Sequence, residues 1–366
     1  MSNRSTYYFP QLDSIRGLSF LAVFFFHAFH PQLGTGFFGR MFQYFYSELF
    51  LSIDVFFILS AFLLTWLGIS EYQKKGNFSF VNYFIRRTLR IWPLYFLLMI
   101  FSFLILPYVA ARMHVPVTLP PASYYLFFVS NFYLEGHVYF LRFLWTLSVE
   151  EQFYLVLGLC MFLFQRYLLV CMAIFMGVSI AFTVYAIHND IFHDFHTLTY
   201  LFDFAIGILT AIILQKGKGI VLFFKNMSTG RSVVFLLILP LMFVVSFLIT
   251  DLGQPALIPW TDLLVRYVFI IYIGLFIIEQ MVNERPLLQL KKNRFLVYTG
   301  KISYGLYCYH GMVLTFGTVA LQKMNIHVPL IAQALIFLGV NFIVSSLSYR
   351  FIERPFLRLK DRMRRI

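Results

Sequence analysis

About ten stretches of roughly twenty predominantly apolar residues follow one another along this 366-residue chain, and nothing in the sequence constrains its fold more. A hydrocarbon core about 30 Å thick takes about 20 helical residues to cross. Backbone polar groups at that depth must be satisfied within the protein, which leaves helices or closed barrels. Runs that are apolar throughout, rather than at every second residue, select the helix. The expected spans are 15–30, 46–69, 92–111, 143–164, 167–187, 195–215, 232–250, 258–281, 295–321 and 330–351, with 122–134 as an additional half-span. The expected fold is an all-α polytopic membrane protein of about ten transmembrane helices. It forms a single membrane domain over residues 1–366, with no appended soluble domain.

Composition supports the bilayer and removes a competing class. With 60% hydrophobic and 12% charged residues the chain is too apolar for a water-soluble domain of this size. Its net charge of +13 invites a nucleic-acid reading, but the distribution of charge answers that. With the N-terminus in the cytoplasm, 21 lysines and arginines fall on the cytoplasmic side, from Arg4 through Lys74, Arg86 and Lys291 to Arg365. Only Arg40, Arg112, Arg142 and Lys323 fall opposite. That split is the positive-inside bias, and it places both termini in the cytoplasm without invoking nucleic acid. The sequons at Asn3, Asn77 and Asn226 then face the cytoplasm and carry no weight. Cys160, Cys171 and Cys308 lie in apolar segments and form neither a disulfide framework nor a metal site.

Ionisable side chains at membrane depth are costly and mark function by default. The first span carries two, Arg16 and His27. Eleven helical positions amount to about three turns, so both project from one helix face about 16.5 Å apart. Across the other spans, Arg16, Arg86, Arg87, Arg90, Lys301 and Tyr304 collect near the cytoplasmic boundary. His27, Asp54, Glu150, Glu151 and Asp203 lie in the outer halves. A basic inner rim suits an anionic cytoplasmic ligand, and a histidine with carboxylates suits proton transfer. A packing role for His27 and headgroup contacts for the arginines are the bland alternatives. His188, His193 and His196 read as loop histidines rather than metal ligands, and no metal is expected.

Six motifs in order resemble the acyltransferase-3 family of integral membrane O-acyltransferases. They are Leu12-Asp13-Ser14-Ile15-Arg16-Gly17 with ten residues between the arginine and His27; Ile53-Asp54-Val55-Phe56-Phe57; Arg86-Arg87-Thr88-Leu89-Arg90-Ile91-Trp92-Pro93-Leu94-Tyr95; Trp145-Thr146-Leu147-Ser148-Val149-Glu150-Glu151-Gln152-Phe153-Tyr154; Ile302-Ser303-Tyr304-Gly305-Leu306-Tyr307-Cys308-Tyr309-His310; and Tyr349-Arg350-Phe351-Ile352-Glu353-Arg354-Pro355. Ser52 and Ala61 stand where the family usually has glycine.

The resemblance implies an enzyme that moves an acyl group, acetyl in the first instance, from cytoplasmic acyl-CoA to a hydroxyl of an extracytoplasmic glycan or lipid-linked sugar, in the cell's inner (plasma) membrane. It casts His27 as general base and Glu150 as the group that tunes it. Arg16, Arg86, Arg87 and Arg90 hold the nucleotide end of the donor, with Tyr304 and His310 lining the donor tunnel. Ser148 as a covalent nucleophile is weaker, because no Gly-x-Ser-x-Gly elbow surrounds it. Direct transfer and an acyl-histidine intermediate both remain open, as do acetyl and succinyl donors. The competing class is a proton-coupled transporter or flippase, which also places histidines and carboxylates in the membrane. The chain shows no paired repeats to support it.

Overall fold

The computed structural model describes residues 8–29, 35–112, 114, 116–133, 138–253 and 257–363, without the side chains of 360–363. Arg4, the sequon at Asn3, His30 at the end of the first expected span, and Arg364 and Arg365 of the basic tail lie outside the described residues. Among the described residues every regular element is helical. In chain order these are α1 (Pro10–Ala28), α2 (Phe37–Ser47), α3 (Ser52–Lys75), α4 (Phe80–Ile100), α5 (Leu106–Arg112), α6 (Ala122–Leu126), α7 (Tyr139–Arg142), α8 (Trp145–Leu163) and α9 (Leu168–His188). There follow α10 (Leu201–Lys216), α11 (Ile220–Lys225), α12 (Thr229–Leu252), α13 (Ile258–Val282), α14 (Arg294–Lys301), α15 (Ser303–Lys323), α16 (Leu330–Ser348) and α17 (Arg354–Met363).

Among the described residues eight helical stretches are long and apolar enough to cross a membrane: Phe37–Lys75, Phe80–Arg112, Tyr139–Leu163, Gln165–His188, Thr197–Lys216, Thr229–Leu252, Ile258–Val282 and Leu330–Leu359. The protein is an all-α, polytopic integral membrane protein. Helices α1 and α15, expected as the first and ninth spans, run unbroken for 19 and 21 residues. They fall outside the eight because polar side chains dilute their apolar character, Gln11, Asp13, Ser14, Arg16, Ser19 and His27 in the case of α1.

The basic residues Arg86, Arg87 and Arg90 share one helix. They occupy the first half of α4, which Ser79 caps by accepting the Asn82 N–H and which continues past Pro93 through a π-turn into α5. Proline is tolerated inside a buried span because neighbouring groups re-satisfy the freed backbone. The expected half-span 122–134 is instead the one-turn helix α6 followed by a single tight turn at Ser130–Phe132. Its irregular backbone is met by side chains. Tyr95 donates to the Tyr125 carbonyl at 2.7 Å, Gln152 donates to the Phe128 carbonyl at 2.7 Å, and the Ser130 N–H reaches Ser148 Oγ at 3.3 Å.

The helices gather into two compact units, each interrupted in sequence. The first comprises the described residues within Met1–Phe26, His30–Leu63 and Ile206–Ser303. Here the start of α1 lies against α14, with Ser14 donating to the Leu290 carbonyl at 2.7 Å. The approach is so close that a Cβ at Gly300 would overlap the Asp13 backbone. Gly300→Ala is therefore expected to lose about 1–3 kcal/mol through forced separation of the two helices. Gly177→Ala on α9, where a Cβ meets nothing within 4 Å, should be neutral or slightly stabilising. Thermal denaturation of both variants in detergent micelles checks the contrast.

The second unit comprises the described residues within His27–Phe29, Leu64–Ala205 and Tyr304–Ile366. Helix α4 packs on α8 and on α17. The Phe153 ring of α8 stacks parallel on Phe204, 3.6 Å between centroids. Tyr83, Tyr95, Tyr154, Leu157 and Met161 are almost wholly buried around the α4–α8 contact. This unit holds the last turn of α1, and with it His27.

Candidate active site

The 3.6-residue period carries α1 unbroken through Arg16 and His27, so the expected shared face is real and the two side chains sit about three turns apart. Arg16 is buried, 8% exposed, and its Nη1 lies 3.6 Å from Asp13 one turn earlier. The first unit thus holds a guanidinium, with its planar set of five N–H groups, away from solvent.

His27, at the other end, meets two aromatic rings of its unit. Its imidazole lies 4.3 Å from the Phe143 ring and 5.4 Å from the imidazole of His310, centroid to centroid. Phe143 in turn lies 4.6 Å from His310, so the three rings form a closed triangle. His310 is fully buried, and its Nδ1 is bonded to the Tyr307 carbonyl. A carbonyl only accepts, so Nδ1 carries the proton and Nε2 presents a lone pair.

A polar clamp fixes this triangle. Tyr307 on α15 donates its hydroxyl to the Phe143 carbonyl at 2.9 Å and accepts from Thr146 Oγ1 at 2.8 Å. The turn that opens α8 is thereby tied to α15, and the Phe143 ring is held between the two histidines. Gly311 completes the fit, since a Cβ there would overlap the Phe143 ring. Glu150, one turn after Thr146, stands within electrostatic reach of Tyr307 and Cys308. Ser148 is buried in a mutual hydroxyl hydrogen bond with Ser130 at 2.8 Å, a structural pairing between α8 and the 122–132 segment.

The basic residues of α4 divide. Arg86 is bound to Glu71 at 2.8 Å. Arg87 is buried and lies over the Tyr154 ring, 4.8 Å from its centroid, while Tyr83 donates to the Tyr154 carbonyl at 2.9 Å. Arg90 acts electrostatically on Glu353, whose carboxylate is 7% exposed and has one oxygen without a hydrogen-bond partner among the described residues. Glu151 is similar: Trp92 donates to one of its oxygens at 3.4 Å, and the other has no partner among the described residues. Tyr304 joins α15 to α4 through a 2.6 Å bond to the Ile91 carbonyl and stands within electrostatic reach of both Glu151 and Glu353. The result is a partly buried polar layer of two arginines, two carboxylates, a tryptophan and a tyrosine. Arg87 and Arg90 have the character to meet an anion there.

The acyltransferase-domain family matches residues 9–350. The chain belongs to the acyltransferase-3 family. It is 28% identical over 382 aligned residues to a Staphylococcus aureus (strain COL) protein provisionally named an O-acetyltransferase, covering 95% of this chain and 57% of that one. It is 26% identical to the peptidoglycan O-acetyltransferase of Listeria monocytogenes (95% and 56% covered). It is 27% identical to a Bacillus subtilis (strain 168) protein provisionally named a peptidoglycan O-acetyltransferase (95% and 55%). The chain thus spans somewhat more than half the length of these curated relatives. No solved structure matches it.

Among family residues, the sequence placed His310 in a donor tunnel, and the structure sets it beside His27. Nothing in local spacing links residues so far apart; the signal available was that both are histidines at membrane depth. Arg266 went unremarked, being a lone cation inside an expected span. In the first unit it binds Asp54, Nε to Oδ2 at 3.1 Å and Nη2 to Oδ1 at 3.4 Å. Asp54 is therefore held in an ion pair within that unit. His196 accepts the Leu198 N–H and caps the turn before α10, and no group of metal-ligating side chains is found among the described residues.

Proposed function

We propose that the chain is an acyl-CoA-dependent O-acyltransferase of the inner (plasma) membrane. It takes an acyl group, acetyl by preference, from the cytoplasmic donor to a hydroxyl of an extracytoplasmic glycan, with both termini in the cytoplasm. The observation that carries this reading is the ring triangle of His27, Phe143 and His310, a part-buried and a buried imidazole packed together in a family defined by acyl transfer. The relatives named for peptidoglycan O-acetylation favour a peptidoglycan-type acceptor.

In the proposed reaction His27 removes the proton of the acceptor hydroxyl as its oxygen attacks the thioester carbonyl. The carbon–sulfur bond breaks, CoA leaves as thiolate, and the imidazolium returns the proton to sulfur, giving the ester and CoA thiol. His310 presents its Nε2 lone pair to this centre and orients His27, and Glu150 adds negative charge that favours the imidazolium. Arg16, three turns back on α1, and Arg87 and Arg90 on α4 supply cations for the phosphates of CoA, with Arg86 in a supporting position. Tyr304 borders the donor's path. An acyl group carried briefly on His27 is the alternative chemistry, and trapping an acyl-histidine distinguishes it.

The test is acetyl-CoA consumption by the purified protein with a soluble glycan acceptor. Transfer should depend on His27 and on Arg16. Retention of full transfer by folded His27→Ala and Arg16→Ala variants would overturn the mechanism. Arg87→Ala is expected to raise the KM for acetyl-CoA about tenfold, the loss of a hydrogen bond to a charged group, with the acceptor KM little changed. An unchanged donor KM would assign Arg87 to packing on Tyr154.

A further inference from the structure

In the first unit, the outward-facing ends of α2 and α12 border an open cleft of about 370 Å³. Arg40, Gln43, Tyr44, Phe247, Thr250 and Asp251 line it, and no part of the proposed catalytic chemistry uses them. We propose that this cleft is an acceptor subsite that takes one neutral N-acetylhexosamine ring of the glycan. The assignment of this side as outward, and of a glycan as acceptor, rests on the proposed function.

The chemistry of the lining selects the ligand class. Arg40 Nε and Nη2 donate to the two oxygens of Asp251 at 2.6 and 3.1 Å, and Nη1 donates to the Thr35 carbonyl at 2.7 Å. Three of the five guanidinium N–H groups are thus engaged, which holds the planar fork still, and two remain. Each carboxylate oxygen keeps a lone pair. The cleft therefore presents a fixed array of donors and acceptors with no net charge, which matches the hydroxyls and amide of a neutral sugar and gives a phosphate no advantage. Glu48 and Asp262, which act electrostatically on Tyr44, further discourage an anion.

The other wall is apolar. The part-exposed ring of Tyr44 supplies it, backed at 5.8 Å by Phe247, which is 3% exposed and packs edge-on to Phe37 at 5.4 Å. Tyr44 is pinned by its 2.7 Å bond to Ser246. A pyranose has an apolar face of C–H groups and a rim of hydroxyls, and a wall of this kind opposite a polar rim accommodates both. Thr250 Oγ1 is buried at the edge of the cleft without a partner among the described residues, and rotation of its side chain would turn it to a bound hydroxyl. The exposed amide of Gln43 adds a donor and an acceptor for the acetamido group. The volume lies at the low end of the range for small-molecule pockets, room for a ring and its substituents.

The test is equilibrium binding of chitopentaose to the full chain in detergent, measured by calorimetry without acyl donor. Wild type should bind saturably. Arg40→Ala should weaken binding at least tenfold, and Gln43→Ala and Thr250→Val, which leave the Arg40–Asp251 pair intact, should each weaken it severalfold. Acetyl-CoA binding should be unchanged in all three, which shows them folded. Failure of wild type to bind, or unchanged affinity in the Gln43 and Thr250 variants, overturns the proposal. So does an Arg40-dependent binding of phosphatidylglycerol vesicles in place of chitopentaose. His27→Ala should bind chitopentaose as wild type does, so a failure of the catalytic reading and a failure of this one give different results.

Discussion

His27→Ala is expected to reduce acyl transfer by about 10²–10⁴-fold, the usual worth of a positioned general base, while leaving the helical content of the protein intact. The imidazole is part-buried at the last turn of α1, and its neighbours are the rings of Phe143 and His310. Removing it leaves the acceptor hydroxyl without a proton acceptor at neutral pH. His310→Ala should fall between wild type and His27→Ala in kcat, since it orients the base rather than receiving the first proton. Tyr307→Phe tests the clamp. It removes the bonds to the Phe143 carbonyl and to Thr146 while keeping the ring, so a lowered kcat with unchanged donor KM is expected. Steady-state kinetics with acetyl-CoA and a soluble glycan measure all three. Equal activity of wild type and folded His27→Ala would remove the histidine from the chemistry.

The largest effect on stability is expected from the Asp54–Arg266 pair. Both side chains are mostly withdrawn from solvent, at 3% and 14% exposure, and 212 residues of sequence separate them. Removing one partner leaves the other charged and buried, which costs about 3–5 kcal/mol. Asp54→Ala and Arg266→Ala should each lower the unfolding free energy in detergent by that amount. The double variant Asp54→Leu with Arg266→Met should recover most of the loss, because replacing a buried pair by apolar groups of similar volume is often neutral. Loss in the double variant as large as the sum of the singles would mean that the two residues do not act as a pair.

How far the site could be read from sequence depended on whether its parts are near one another along the chain. Arg16 and His27 were legible because eleven positions on one helix return to the same face, a relation fixed by the helical period. Arg87 and Arg90 were legible as basic residues of one helix. The division among them was not, because Glu71, Tyr154 and Glu353 reach them from other helices. The 122–134 stretch was apolar enough to suggest a half-span. Its backbone turns aside because Gln152, Ser148 and Tyr95 offer it partners from neighbouring helices.

The sequence by itself determined that this is a polytopic helical membrane protein of the acyltransferase-3 family and that α1 carries an arginine and a histidine on one face. Hydropathy, charge bias and helical period act locally or sum along the chain, so they can be read without coordinates. Only the tertiary structure decided what stands beside each costly side chain: His310 and Phe143 beside His27, Arg266 beside Asp54, and Ser130 beside Ser148. The reason is physical. A buried polar group takes its partner from whichever helix packs against it, and which helix that is follows from the fit of whole surfaces, to which no single spacing in the sequence corresponds.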